Sequence, residues 1–106
     1  MNKLIKNALS KLKIDVAFME YHGKADKYII FNITKEKDTA VFDNINQSIT
    51  YDINLNFWYK KPEDFAYINK IKQTMKEAGF IFDSAKDLKY GEFYGKNYDF
   101  VYIEYL

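Results

Sequence analysis

Residues 49–60 read ITYDINLNFWYK, the longest stretch of regular alternation in the chain. Apolar or aromatic side chains occupy every odd position, and mostly polar ones occupy the even positions, which include Trp58 and Lys60. Because successive side chains of a β-strand point to opposite faces of the sheet, this pattern predicts a long strand with one buried and one wetted face. Trp58 then lies on the polar face, where a large aromatic side chain indicates a contact.

Upstream of this strand, the sequence predicts one helix and three shorter strands. Residues 2–12 carry apolar side chains at helical spacing, with lysines and asparagines on the other face. Such a short amphipathic helix needs a sheet to lie on. We expect strands at residues 16–21, 28–34 and 39–43, with a turn at 22–24 and an asparagine-rich turn at 43–47.

Downstream, Pro62 favours the first turn of a second helix, and Gly79 is placed to end it in a left-handed conformation. The expected apolar stripe of this helix comprises Phe65, Ile68, Ile71, Met75 and Ala78. An extended stretch at 80–83, a polar segment through residue 89 and a tyrosine-rich hairpin follow. The last strand, 98–106, is apolar at nearly every residue, which favours a central place in the sheet or a partner on its second face.

The predicted order is therefore helix, four strands, helix, two strands, within a single domain spanning residues 1–106. Runs of strands interrupted by helices at two points are typical of the α+β class. We predict a mostly antiparallel β-sheet with an N-terminal helix and one central helix packed on one face.

The residue types that carry most catalytic chemistry are scarce. The chain has no cysteine, no glycine-rich phosphate loop, and one histidine, His22, in a predicted turn. One histidine cannot supply a zinc site. Three pairs of acids occur in the chain: Glu36 with Asp38, Glu63 with Asp64, and Asp83 with Asp87. We interpret them as solvated charge, and only the pair Asp83 and Asp87 is a candidate for binding a hard cation. We expect no enzyme, no cofactor and no metal.

The charge balance argues against nucleic-acid and membrane partners. All sixteen basic residues are lysines, and fifteen acids leave a net charge of +1. Single-stranded nucleic acid could still stack on Tyr90, Tyr94 and Tyr98 beside Lys96. However, aromatic residues in strands more often belong to a core or an interface. The chain has no apolar run long enough for a signal peptide or a membrane span.

Three aromatic residues are the candidate protein contacts: Trp58, Tyr90 and Tyr94. For Trp58 two interpretations remain open. It contacts another subunit, or a local helix or loop covers it.

The second half of the chain resembles small tail-completion proteins of phages and prophages of Gram-positive bacteria. Residues 51–61, YDINLNFWYKK, resemble the long strand of that family, and the helix that follows ends, as theirs does, in Gly-Phe, here Gly79-Phe80. Residues 98–105 resemble the aromatic last strand. One departure lies upstream, because residues 15–27 lack the proline-rich apolar stretch that is common in the family.

This resemblance implies a structural role in virion assembly. Such proteins resemble the tail terminators that form rings, often hexameric, at the head-proximal end of a phage tail and join it to the head. The implied partners are other copies of the chain and head–tail connector or tail-tube proteins. The implied locations are the bacterial host cytoplasm during assembly and the virion tail. The alternatives are a small bacterial adaptor or immunity-type protein and, less favoured, a single-stranded nucleic-acid binder.

Overall fold

The long alternating strand lies at the centre of a five-stranded sheet. The computed structural model describes residues 1–106, and the strands are β1 Asp15–Phe18, β2 Lys27–Thr39, β3 Ser48–Tyr59, β4 Ile81–Tyr90 and β5 Phe93–Tyr105. Their order across the sheet is β1-β2-β3-β5-β4. Only β1 and β2 are parallel, so the predicted α+β fold with a mostly antiparallel sheet is confirmed.

Two helices accompany the sheet, as predicted. Helix α1 spans Asn2–Leu9 and continues as a 3-10 turn, Ser10–Leu12. A second 3-10 turn, Pro62–Ala66, leads into α2, Tyr67–Glu77. Gly79 ends this helix at a φ of +96°, a conformation that glycine adopts without steric cost. Neither helix is long and apolar enough to cross a membrane.

The core lies between the two helices and one face of the sheet. Helix α1 contributes Ile5 and Leu9, and α2 contributes Ile71 and Met75. The sheet contributes the odd-numbered side chains of β3 from Tyr51 to Tyr59 and their neighbours on β2 and β5. The predicted buried face of β3 is therefore confirmed. The predicted central place of the last strand holds for residues 98–101, which pair with both β3 and β4, whereas residues 102–105 pair with β3 alone.

The strand count before α2 was wrong. The predicted strand at 28–34 continues as far as Thr39 in β2, and residues 40–43 of the strand predicted at 39–43 lie in the loop after it, so three strands precede α2 instead of four. A β-bulge between Ile33 and Lys35 moves the side chains beyond it to the other face while pairing with β3 continues. The bulge ends the apolar alternation without ending the strand, and the predicted turn acids Glu36 and Asp38 belong to β2.

Three other boundaries differ from the prediction. The strand predicted at 16–21 stops at Phe18, where Met19 turns the chain with a φ of +68°. The polar segment through residue 89 is strand β4, which lies at the sheet edge and therefore needs few apolar residues. Phe65 does not join the apolar stripe of α2 and is 65% exposed. A 3-10 turn has about three residues per turn, which rotates Phe65 away from the core.

Tyr98 connects β5 to helix α2. Its ring is buried among the core residues, and its hydroxyl donates a hydrogen bond of 2.6 Å to the backbone carbonyl of Ile68. Burial of the ring raises the pKa of Tyr98 well above its ordinary value of 10.0.

The raised pKa of Tyr98 predicts a loss of stability in alkali. Above about pH 10 the unfolded chain releases the phenolic proton while the folded chain retains it, so the free energy of unfolding falls by about 1.4 kcal/mol per pH unit. Tyr98→Phe should remove this contribution, at a cost of about 0.5–1.5 kcal/mol at neutral pH for the lost hydrogen bond. Urea denaturation between pH 8 and 11 measures both effects. Parallel pH profiles of the two proteins would contradict the assignment.

Candidate assembly surfaces

The face of the sheet opposite the helices carries a self-contained amide network. The side-chain amide of Asn97 donates to the side-chain oxygens of Asn54, at 3.1 Å, and Asn56, at 2.6 Å. The amide of Asn54 in turn donates to a carboxylate oxygen of Asp99 at 2.9 Å. These groups satisfy one another, and Asn97 is buried although no helix covers it.

Trp58 lies on this same face, half-buried, as its even position predicts. Its ring covers Gly95 on β5 so closely that a Cβ added at Gly95 would lie 2.6 Å from ring atom Cζ3. On its other side the cross-strand neighbour is Tyr28, whose ring is stacked on Tyr21 at 4.1 Å and meets the edge of Phe93 at 5.6 Å. The neighbouring strand and the segment after β1 thus give Trp58 partial local cover, and a subunit contact stays a prediction.

The three candidate contact residues do not share one surface. Trp58 lies on the open face of the sheet, whereas Tyr94 lies on the helix-bearing face, where its ring is stacked on Tyr59 at a centroid distance of 5.7 Å. Tyr90 lies at the β4–β5 turn and is largely exposed. The structure therefore separates Tyr94 from Trp58 and Tyr90, because Tyr90 pairs with Phe93 and by register lies on the open face.

Tyr94 forms part of an open apolar hollow, here called the aromatic groove. The groove has a volume of about 440 Å³ and is lined by Tyr59, Pro62, Phe65 and Tyr94. Burial raises the pKa of Tyr59 above its ordinary value of 10.0. The ammonium of Lys89 lies 4.7 Å from the ring centroid of Tyr94, at the edge of the groove.

The opposite end of the sheet carries an exposed apolar projection, here called the apolar knob, formed by Val41, Phe42 and Ile45. Asp43 and Asn44 have φ values of +52° and +63°, the pattern of a type I′ turn. Phe42 and Ile45 flank this turn and exchange two backbone hydrogen bonds, of 3.0 and 2.9 Å. Such paired residues place their side chains on the same face. Phe42 is 71% exposed and Ile45 63% exposed.

Polar side chains tie the apolar knob to the strands below it. The Asn46 amide donates to the Asp38 carboxylate at 2.8 Å, and its oxygen accepts from the backbone N–H of Ser48 at 3.1 Å. The hydroxyls of Thr39 and Ser48 are 2.7 Å apart. The knob is therefore held in place by specific bonds while its apolar side chains stay in water.

Sequence reasoning missed the apolar knob and misplaced Phe65. Val41 and Phe42 had been assigned to a short strand, and Phe65 to the core. The signal for the knob was present, because three large apolar residues surround the turn-forming pair Asp43-Asn44. No comparable signal marks Phe65, whose exposure depends on the local change from α to 3-10 geometry.

The remaining candidates for chemistry are dispersed. Asp87 binds Lys96 at 3.0 Å, whereas Asp83 lines a separate small hollow of about 210 Å³, so that pair is not brought together. No three His, Cys, Asp or Glu residues are grouped as a metal site. His22 lies in an exposed loop beside Glu20 at 3.3 Å. The three tyrosines considered for stacking with single-stranded nucleic acid, Tyr90, Tyr94 and Tyr98, do not form one exposed surface, because Tyr98 is buried.

Comparison with known proteins gives no relative: no family model and no curated protein matches the chain. Its function is therefore argued from its own residues.

The close contact of Trp58 with Gly95 predicts a strong coupling between the two positions. Gly95→Ala should destabilise the protein by about 1–3 kcal/mol, because the added methyl overlaps the indole ring. In a Trp58→Ala background the same change should cost much less. Urea denaturation of the four proteins of this double-mutant cycle measures the coupling. If the losses of stability from the two substitutions were simply additive, the position of the indole ring would not depend on having a glycine at position 95.

Proposed function

We propose that this chain is a structural tail-completion protein, which joins phage heads to tails as a ring at the head-proximal end of the tail. The observation that carries the proposal is the placement of two exposed apolar surfaces, the aromatic groove and the apolar knob, at opposite ends of one domain. The domain is 53 Å long and 22–23 Å across. Two different surfaces at opposite ends suit a repeating head-to-tail assembly, which closes into a ring when the rotation allows.

The resemblance to tail-completion proteins supports the same proposal. The segments that carry it follow one another in chain order: β3, the turn at Lys61-Pro62, α2 with its Gly79-Phe80 end and, after β4, residues 98–105 of β5. The aromatic groove lies beside these segments, since Tyr59 ends β3, Pro62 and Phe65 follow it, and Tyr94 is the second residue of β5.

The distribution of charge disfavours the nucleic-acid alternative. The open sheet face carries the carboxylates of Asp52, Asp83 and Asp99 around one small hollow. These would repel a phosphate backbone passing the aromatic cluster at Trp58. An adaptor or immunity-type protein that binds a different protein would need only one of the two apolar ends, so assembly behaviour distinguishes it from a ring protein.

Removal of the gene from its phage or prophage tests the proposed function. Electron micrographs of induced cultures should then show tails of abnormal length, or separate heads and tails, in place of joined particles. The intact gene supplied from a plasmid should restore joining. As a matched control, Met19→Glu should also restore it, because Met19 is 64% exposed yet lies outside both apolar ends. Normal joined particles without the gene would refute the proposal.

A further inference from the structure

We infer that the apolar knob of one copy seats in the aromatic groove of the next copy. This inference rests on the proposed function only in assuming that the chain assembles with itself. The two surfaces lie at opposite ends of β3, since the knob follows from the Ser48 end and the groove begins at Tyr59. Within one copy they cannot meet, so their contact has to join two copies.

The two surfaces complement each other in shape and polarity. Phe42 and Ile45 project side by side from a two-residue turn, whereas the aromatic groove is concave and lined by aromatic rings and a proline. Its volume lies within the roughly 300–1,000 Å³ of pockets that bury most of a small ligand. A small-molecule site would also need several convergent polar groups, and the tyrosine hydroxyls are the only ones on its lining. An apolar protein side chain suits it better.

Charges around the two surfaces also favour their pairing. The segment 38–47, which contains the apolar knob, includes Asp38 and Asp43 and no lysine. The edge of the aromatic groove carries Lys89, whose ammonium lies over Tyr94, and Lys61, which is 3.9 Å from Asp26; Glu63 is the neighbouring acid without a salt bridge. Lys60, the other nearby cation, already binds Glu92 at 3.1 Å. Knob-to-knob contact would bring the carboxylates of two copies together, whereas knob-to-groove contact brings them towards lysines.

The small size of each surface favours a closed ring over a two-fold dimer. The knob and the groove themselves comprise three and four apolar side chains, fewer than the roughly 20–30 residues a side of a standard interface. A two-fold dimer would use one such contact and should be weak. In a closed ring every copy uses both ends, so each contact is strengthened by the others.

Two free strand edges offer a poorer contact. The outer edge of β4 carries Asp83, Lys86, Asp87 and Lys89, and the distal part of β2 carries alternating lysines and acids at 35–38. Charged side chains along an edge oppose its pairing with another strand. Strand pairing between copies is therefore disfavoured at these two edges, whereas β1 and residues 102–105 of β5 carry few charges.

Cross-linking through introduced cysteines tests the contact, because the chain contains none of its own. Gln47→Cys and Glu63→Cys place one thiol beside the knob and one beside the groove and leave the apolar side chains of both surfaces in place. At high protein concentration, a short bis-maleimide should convert a mixture of the two single variants mainly into the mixed dimer. The variant carrying both cysteines should give a ladder of oligomers. The mixed dimer should exceed each homodimer at least about tenfold, the ratio that 1.4 kcal/mol of contact energy supplies.

Met19→Cys provides the matched control, since this residue is 64% exposed but lies at neither end. Mixed with Glu63→Cys, it should cross-link only at the level of random collision. Equal yields for Met19→Cys and Gln47→Cys would overturn the inference, and so would a predominant homodimer of Gln47→Cys, which would show that two knobs meet. Circular dichroism of each variant confirms that these exposed substitutions leave the monomer folded.

The outcome is separable from that of the proposed function. Loose heads and tails after gene removal, without knob-to-groove cross-links, would keep the tail role and reject this contact. Knob-to-groove cross-links together with normal particles after gene removal would keep the contact and reject the tail role.

Discussion

The structure depends on the two-sided character of β3. Every residue from Ser48 to Tyr59 is paired with both β5 and β2. Because side chains alternate between faces, a slip of one residue would move the aromatic core residues into water and place Asn54 and Asn56 under the helices. The pairing register is thereby fixed across the middle of the sheet. Both helices and both neighbouring strands take their positions from it.

The elongated shape follows from this central strand. The helices contribute four fully buried side chains and cover part of one face, whereas β2, β3 and β5 each run for twelve or thirteen residues. The strands therefore extend past the helices, and the loop that joins β2 to β3 forms at the far end. The apolar knob is a consequence of strand length combined with a tight type I′ turn. The aromatic groove arises at the other end, where β3 gives way to the 3-10 turn at Pro62.

The sequence reveals the parts of this fold in which a periodic pattern coincides with burial. Periodic patterns made residues 49–60 and the two helices recognisable, because burial imposes a period of 2 or 3.6 on the side chains. Gly79 was recognisable as the glycine that ends a helix. The distal half of β2 and the part of β4 beyond Asp83 were not, since a bulge breaks the alternation in one and solvent exposure removes it in the other. Trp58 was placed on the correct face for the same reason that β3 was found. Whether a partner covers it depends on contacts outside a single chain.

The candidate surfaces were harder to predict than the fold because they depend on what the fold leaves uncovered. The sequence marked Tyr94 as a candidate contact, and this residue does line the aromatic groove. The exposure of Phe65 and the apolar knob could be recognised only from the backbone structure. An exposed phenylalanine in a structured turn is unfavourable for a monomer, because its apolar surface stays in contact with water and promotes aggregation. The chain limits that risk by placing charged side chains along its strand edges and by keeping each apolar end small. Such an arrangement suits a protein whose copies remain separate until a partner or a closing ring brings several weak contacts together.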